Sequence, residues 1–231
     1  GLAHTDPGLF ELYYGESVPE TLPPEVHYVS FTTGEEYIER EMANTMADEV
    51  VETALPSIQV RDLSPEYFQL SPVPQSWYAD ETQTIRDLGH PEGRENVLSA
   101  LGSHLSEHAA NNLVLVDSVT DLVAGVSDEM RWNDVAMVMK GLKKAANRWG
   151  GLILLLVNRE TLTDTELGSL EDAASGTFEF EWGSGGSKRA RTMVVKEFRG
   201  VLSLLEGENI VRFETEINES GFDISDVRKI R

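Results

Sequence analysis

Asn112-Leu113-Val114-Leu115-Val116-Asp117-Ser118 is the stretch on which the fold turns. Four consecutive apolar residues, two of them β-branched, lie between a polar entry and a polar exit. That is the pattern of a short strand covered on both faces, as in a parallel sheet. Open parallel sheets bind their ligands beyond the carboxyl ends of the strands. The stretch therefore delivers one carboxylate, Asp117, to the place where a site is expected.

The neighbouring segments supply the rest of the sheet. Residues 95–110 read as a helix with Val97, Leu98, Leu101 and Leu105 on its inner face. Downstream, Val135, Val138, Met139, Leu142 and Ala146 follow the spacing i, i+3, i+4, i+7, i+11, an amphipathic helix over 133–148. Trp149-Gly150-Gly151 closes it, and residues 152–157, apolar throughout, are expected as a central parallel strand. Upstream, residues 26–32 (Val-His-Tyr-Val-Ser-Phe-Thr) follow Pro23-Pro24 and are β-branched and aromatic, a further strand. A helix over 35–46 carries Tyr37, Ile38 and Met42 on one face, and 58–63 is a short strand. Prolines 65, 72, 74 and 91 interrupt residues 64–93, which read as a long ordered loop with one helical turn, packed down by Tyr67, Phe68, Trp77 and Tyr78. A partner-binding or base-stacking loop is the rival reading.

After a short helix over 164–174 the pattern changes. Strands over 177–182 and 191–197 are joined by Gly183-Ser184-Gly185-Gly186-Ser187, a hairpin connection, and 209–217 and 222–224 add two more. The alternation of strand and helix followed by strands alone predicts an α/β fold: a parallel sheet flanked by helices, with antiparallel C-terminal strands. One domain over 1–231 is expected.

Composition narrows the function. Asp and Glu number 40 against 19 Lys and Arg, a net charge of −21. The acid is spread along the chain, and arginine outnumbers lysine about two to one. Self-repulsion of this size is a halophile's device, and an acidic protein meeting a basic partner is the bland alternative. A broad nucleic-acid-binding face is disfavoured, because phosphate contacts need clustered cations. No apolar run reaches the roughly 18 residues of a membrane span, and the absence of cysteine fits a cytoplasmic protein. The first residue is Gly1, which suggests a processed or truncated start.

The order of pieces resembles the RecA-fold ATPase superfamily, and within it the archaeal KaiC-like and recombinase-paralogue group. The resemblance rests on Val116-Asp117-Ser118-Val119-Thr120-Asp121-Leu122, then Lys143-Lys144-Ala145-Ala146-Asn147-Arg148-Trp149-Gly150-Gly151, then residues 152–158, the hairpin, and Val195-Lys196-Glu197-Phe198-Arg199-Gly200. It covers residues 26–225. It implies ATP and Mg²⁺ as ligands, with Asp117 as the aspartate that orients Mg²⁺ through water, Ser118 beside it, and Asn158 sensing the γ-phosphate. Lys196 and Arg199 would reach a neighbouring subunit, through self-association or pairing with another RecA-fold protein. The rival readings are an N-cap for Asp117, a turn residue for Asn158 and a plain salt bridge for Arg199.

Three departures qualify the resemblance. The phosphate loop G-x-x-x-x-G-K-[ST] is absent from these 231 residues and, by the family order, is expected upstream of Gly1. Thr32-Thr33 stands where relatives that hydrolyse ATP place a glutamate, and a hydroxyl cannot act as the carboxylate base. Lys196 and Arg199 are also one residue further apart than the family's basic pair. The expectation is a nucleotide-binding or pseudo-ATPase regulator, with a non-catalytic interaction module as the alternative.

Two motifs compete with this reading. His104-Leu105-Ser106-Glu107-His108 fits H-x-x-E-H, a zinc-hydrolase signature on a helix. Helical geometry, however, turns His108 toward the core with Leu101 and Leu105 and leaves Glu107 outside, so zinc is disfavoured. Gly183 to Lys188 mimics a phosphate loop in composition, but it runs from strand to strand, where a phosphate loop must enter a helix. The basic cluster Lys188-Arg189-Ala190-Arg191 reads as a solvated hairpin tip, with an acidic subunit or nucleic acid as the other occupant.

Overall fold

The computed structural model of the chain describes residues 23–69, 71–78, 96–126, 130–182, 191–198, 212–218 and 221–225. Strands β1 (Val26–Ser30), β2 (Ile58–Asp62), β3 (Leu113–Asp117) and β4 (Leu152–Leu155) form a parallel sheet in the order β2-β1-β3-β4. In β1 and β3, His27 lies beside Val114, Val29 beside Val116 and Ser30 beside Asp117. Side chains alternate across a strand, so His27, Val29, Val114 and Val116 share one face, and all four are buried. The opposite face, with Tyr28, Leu115 and Asp117, is half-buried.

Seven helices are described: α1 (Glu35–Thr45), α2 (Asp48–Ala54), α3 (Ser64–Phe68), α4 (Val97–His108), α5 (Val119–Val126), α6 (Trp132–Trp149) and α7 (Asp164–Ala173). The core joins Val97, Ala100, Leu101 and Leu105 of α4 and Val135 and Met139 of α6 to the buried strand residues. Periodicity located this core, except that Val138, expected on the inner face of α6, is 39% exposed.

Gly150 ends α6 in the left-handed conformation (φ 71°) that favours glycine. Gly151 is required for a different reason. A Cβ there would lie 2.1 Å from the Ala109 carbonyl oxygen and 2.7 Å from that of Asn112. The start of β4 thus passes directly against the turn that enters β3.

The structure corrects three expectations. Segment 64–93 holds the expected helical turn as helix α3, with Pro65 in its first turn, but Trp77 is 78% exposed and does not pack down. Helices α2 and α5 had not been separated from their surroundings. Strand β4 lies at an end of the described sheet, with Leu152 55% exposed, although its composition suggested the centre. Apolar faces report what packs above and below a strand, not how many strands flank it.

The second sheet is antiparallel: β5 (Gly176–Trp182), β6 (Arg191–Phe198), β7 (Arg212–Asn218) and β8 (Gly221–Ser225), in sequence order. A register irregularity falls at Thr177/Phe178. Phe180 of β5 meets Phe222 of β8 edge-on at 5.9 Å, so this sheet curls until its outer strands approach each other. The expected loop 183–190, Arg199 and Gly200 lie outside the described residues. Among the described residues, no helix is long and apolar enough to cross a membrane.

Candidate functional site

Asp117 ends β3 and stands level with Ser30 at the end of β1. Its Oδ2 accepts a 2.5 Å hydrogen bond from the Tyr28 phenol. Burial raises the Tyr28 pKa well above the usual phenol range, and the bond and negative charge of Asp117 push it further the same way. Tyr28 was not identified from the sequence. Its alternation with Val29 places it on the Asp117 face, but only the β1–β3 register shows that its hydroxyl reaches across.

Ser118 follows through a cis peptide bond. Its Oγ donates to Asp121 Oδ2 (2.7 Å), accepts from the Asp121 backbone N–H (3.1 Å) and lies 2.7 Å from Thr120 Oγ1. Ser118 is therefore the residue that caps α5, the role the sequence had offered to Asp117 as its rival reading. Thr120 Oγ1 in turn faces the Asn158 N–H at 3.5 Å. The Asn158 side chain accepts from the Glu160 N–H (3.1 Å) and opens the 3₁₀ turn Arg159–Thr161. Asp117, Ser118, Thr120 and Asn158 thus occupy adjoining carboxyl ends of β3 and β4. Asn158 also makes the turn that its rival reading proposed.

A cleft of about 210 Å³ opens beside Asp117, lined by Tyr28, Thr33, Tyr37, Glu41 and Met42 among others. The Ser30 hydroxyl accepts the Thr33 N–H at 3.0 Å and the Thr32 N–H at 3.4 Å, which holds Thr32-Thr33 in a turn at its mouth. Lys196 is paired within the chain: its ammonium lies 3.0 Å from both Glu171 of α7 and Glu179 of β5. Arg159 also pairs with Glu179.

His104 and His108 share a face of α4 with ring centroids 4.7 Å apart. A third ring, His27 of β1, was not anticipated: it lies 5.3 Å from His104 and 4.9 Å from His108. Burial lowers the His104 pKa to about 4, and His108, His27 and Arg61 add to the shift. Glu107 points outward, 76% exposed, as helical geometry required.

A parallel sheet flanked by helices and extended by an antiparallel sheet gives the chain a RecA-like α/β fold. The fold is similar to that of the flagellar accessory protein FlaH from Methanocaldococcus jannaschii, with a TM-score of 0.56 and 13% identity over 88% of this chain and 77% of that one. A KaiC-like protein from the hyperthermophilic archaeon Pyrococcus horikoshii OT3 aligns over 94% of this chain and 80% of its own, with 13% identity and a TM-score of 0.48. No protein-family model matches the sequence, and no curated protein does.

Proposed function

We propose that the chain is a nucleotide-binding or pseudo-ATPase regulator of the KaiC-like or recombinase-paralogue type, binding Mg·ATP beyond the carboxyl ends of β3 and β4. The observation that carries this reading is Asp117. It is a carboxylate at the end of a strand paired on both sides, beside the hydroxyls of Ser118 and Thr120 and the amide of Asn158. The carboxylate and hydroxyl oxygens are the hard atoms that suit Mg²⁺ held through water, and the Asn158 N–H adds a hydrogen-bond donor beside them. Bound Mg²⁺ would offset phosphate charge there; Asp117 would orient its waters and Asn158 would meet the terminal phosphate. The phosphate loop has no counterpart in these 231 residues.

Thr32-Thr33 supports binding without turnover, because no carboxylate occupies that turn to activate water. The partner we favour is a second copy of the chain or another RecA-fold protein in the cytoplasm of a halophile. The favoured experiment titrates the full chain with a fluorescent ATP analogue in the presence of Mg²⁺. Binding weakened about tenfold or more by Asp117→Asn, with ATP turnover at background, is the expected result. A chain that binds neither Mg·ATP nor Mg·ADP is instead a protein-interaction module on the same fold.

A further inference from the structure

The amino end of the parallel sheet holds a second constellation that the nucleotide reading does not use. His27 is 2% exposed on a sheet face otherwise lined by valines. Its Nε2 lies 3.1 Å from Glu25 Oε2, and its Nδ1 has no hydrogen-bond partner among the described residues. His104 Nε2 is likewise enclosed and without a partner. Buried polar atoms are nearly always satisfied, so these two nitrogens mark an unusually polar spot under the sheet, although neither is a ligand atom of the set that follows. Donor atoms of Glu25, His27 and His108 all fall within 4.8 Å of one another.

We propose that Glu25, His27 and His108 form a binding site for a zinc-like divalent cation that fastens the start of β1 to the last turn of α4. Two imidazoles and a carboxylate are a donor set that zinc accepts, in a tetrahedral shell whose donors stand about 3.3 Å apart. The His27–Glu25 pair already has this spacing, and closure needs a shift of the half-exposed His108 ring. The supporting layer is in place. Asn112, 8% exposed, accepts the Glu25 N–H through Oδ1 (3.1 Å), donates to Glu25 Oε2 (3.4 Å) and donates to the His108 carbonyl (2.7 Å). Outer partners of this kind orient metal ligands. The site also sits at a helix C-terminus, where the backbone dipole favours a cation. Glu25, 56% exposed, opens it to solvent.

This set differs from the H-x-x-E-H pattern in substance. Glu107 is 76% exposed and stands outside the set, with its Oε2 3.7 Å from His108 Nε2. His104 packs against the set as a neighbour, and the two ligands that complete it are His27 of β1 and Glu25 just before it. The site fastens two elements together and carries no assigned chemistry. It lies about 10 Å along β1 from Ser30 and on the opposite face from Tyr28, by strand rise and alternation.

The test is equilibrium dialysis of the metal-stripped full chain against Zn²⁺ with excess Mg²⁺ to occupy the acidic surface, alongside Co²⁺ spectra and thermal melts. One equivalent of zinc, a tetrahedral Co²⁺ spectrum and a Tm raised by about 5 °C are expected. His108→Gln should weaken binding at least 100-fold and Glu25→Gln about tenfold, while His104→Gln and Glu107→Gln change it less than about threefold. His108 and Glu25 are solvent-accessible, so these variants keep the fold that a His27 variant would endanger. Failure to retain zinc overturns the proposal. So does binding that survives Glu25→Gln but is lost with His104→Gln, which would return the site to the H-x-x-E-H pair.

Discussion

At the carboxyl end of the parallel sheet the polar groups are oxygens and an exposed amide, held mostly within two turns, with Asp117 tied to Tyr28 of β1. At its amino end they are imidazoles, an amide and the exposed Glu25 carboxylate, with His27 and Asn112 buried and braced between elements far apart in sequence. Ser118 and the Asn158 side chain lean on neighbours two or three residues away, while Asp117 is held across the sheet by Tyr28. Asn112 instead spans from His108 to Glu25, 87 residues distant in sequence. The first end is open for a ligand, and the second holds the sheet to its covering helix. Substitutions at the amino end should therefore cost stability, and those at the carboxyl end should mainly cost binding.

The sharpest way to break this contrast is Gly151→Ala. The new Cβ would collide with backbone carbonyls that cannot rotate away, and a loss of about 3 kcal/mol is expected by chemical denaturation. Asn112→Ala comes next, at about 2 kcal/mol, because it strands the Glu25 N–H and the His108 carbonyl. Ser118→Ala removes only a helix cap and should lower stability by about 1 kcal/mol. An effect at Ser118 as large as that at Asn112 would erase the distinction.

The smallest effect is a pH dependence. His104 is held neutral, with its pKa lowered from 6.5 to about 4 chiefly by burial. The unfolded chain therefore takes up the proton first. The stability this group contributes is fully present above about pH 6.5 and is lost as pH falls toward 4. Solvent reaching part of the ring reduces the effect to about 1 kcal/mol. Denaturation midpoints at pH 7 and 4.5 should differ by that much more in the wild type than in His104→Gln.

The same contrast explains what could be read beforehand. Leu113 to Val116 reveal a strand by composition, and Asp117 its polar exit, so one end of the sheet was legible from consecutive residues. The amphipathic spacing of α6 and its two glycines were equally plain. His27 looked like an ordinary strand residue, because its meeting with His104 and His108 depends on which helix covers which face. Tyr28 was hidden in the same way, by strand register.

Lys196 has a mechanical consequence. It joins Glu171 on a helix of the first layer to Glu179 in the curled second sheet, and Arg159 shares Glu179. Glu179 is 12% exposed and Lys196 35%, so these charges are partly withdrawn from water. Mobile ions weaken exposed charge interactions over about 8–10 Å and act much less on sheltered ones. Added salt therefore quiets the repulsion of a chain at −21 before it loosens this joint. The protein should be stiffest between its two sheets in a concentrated electrolyte, not in a dilute one.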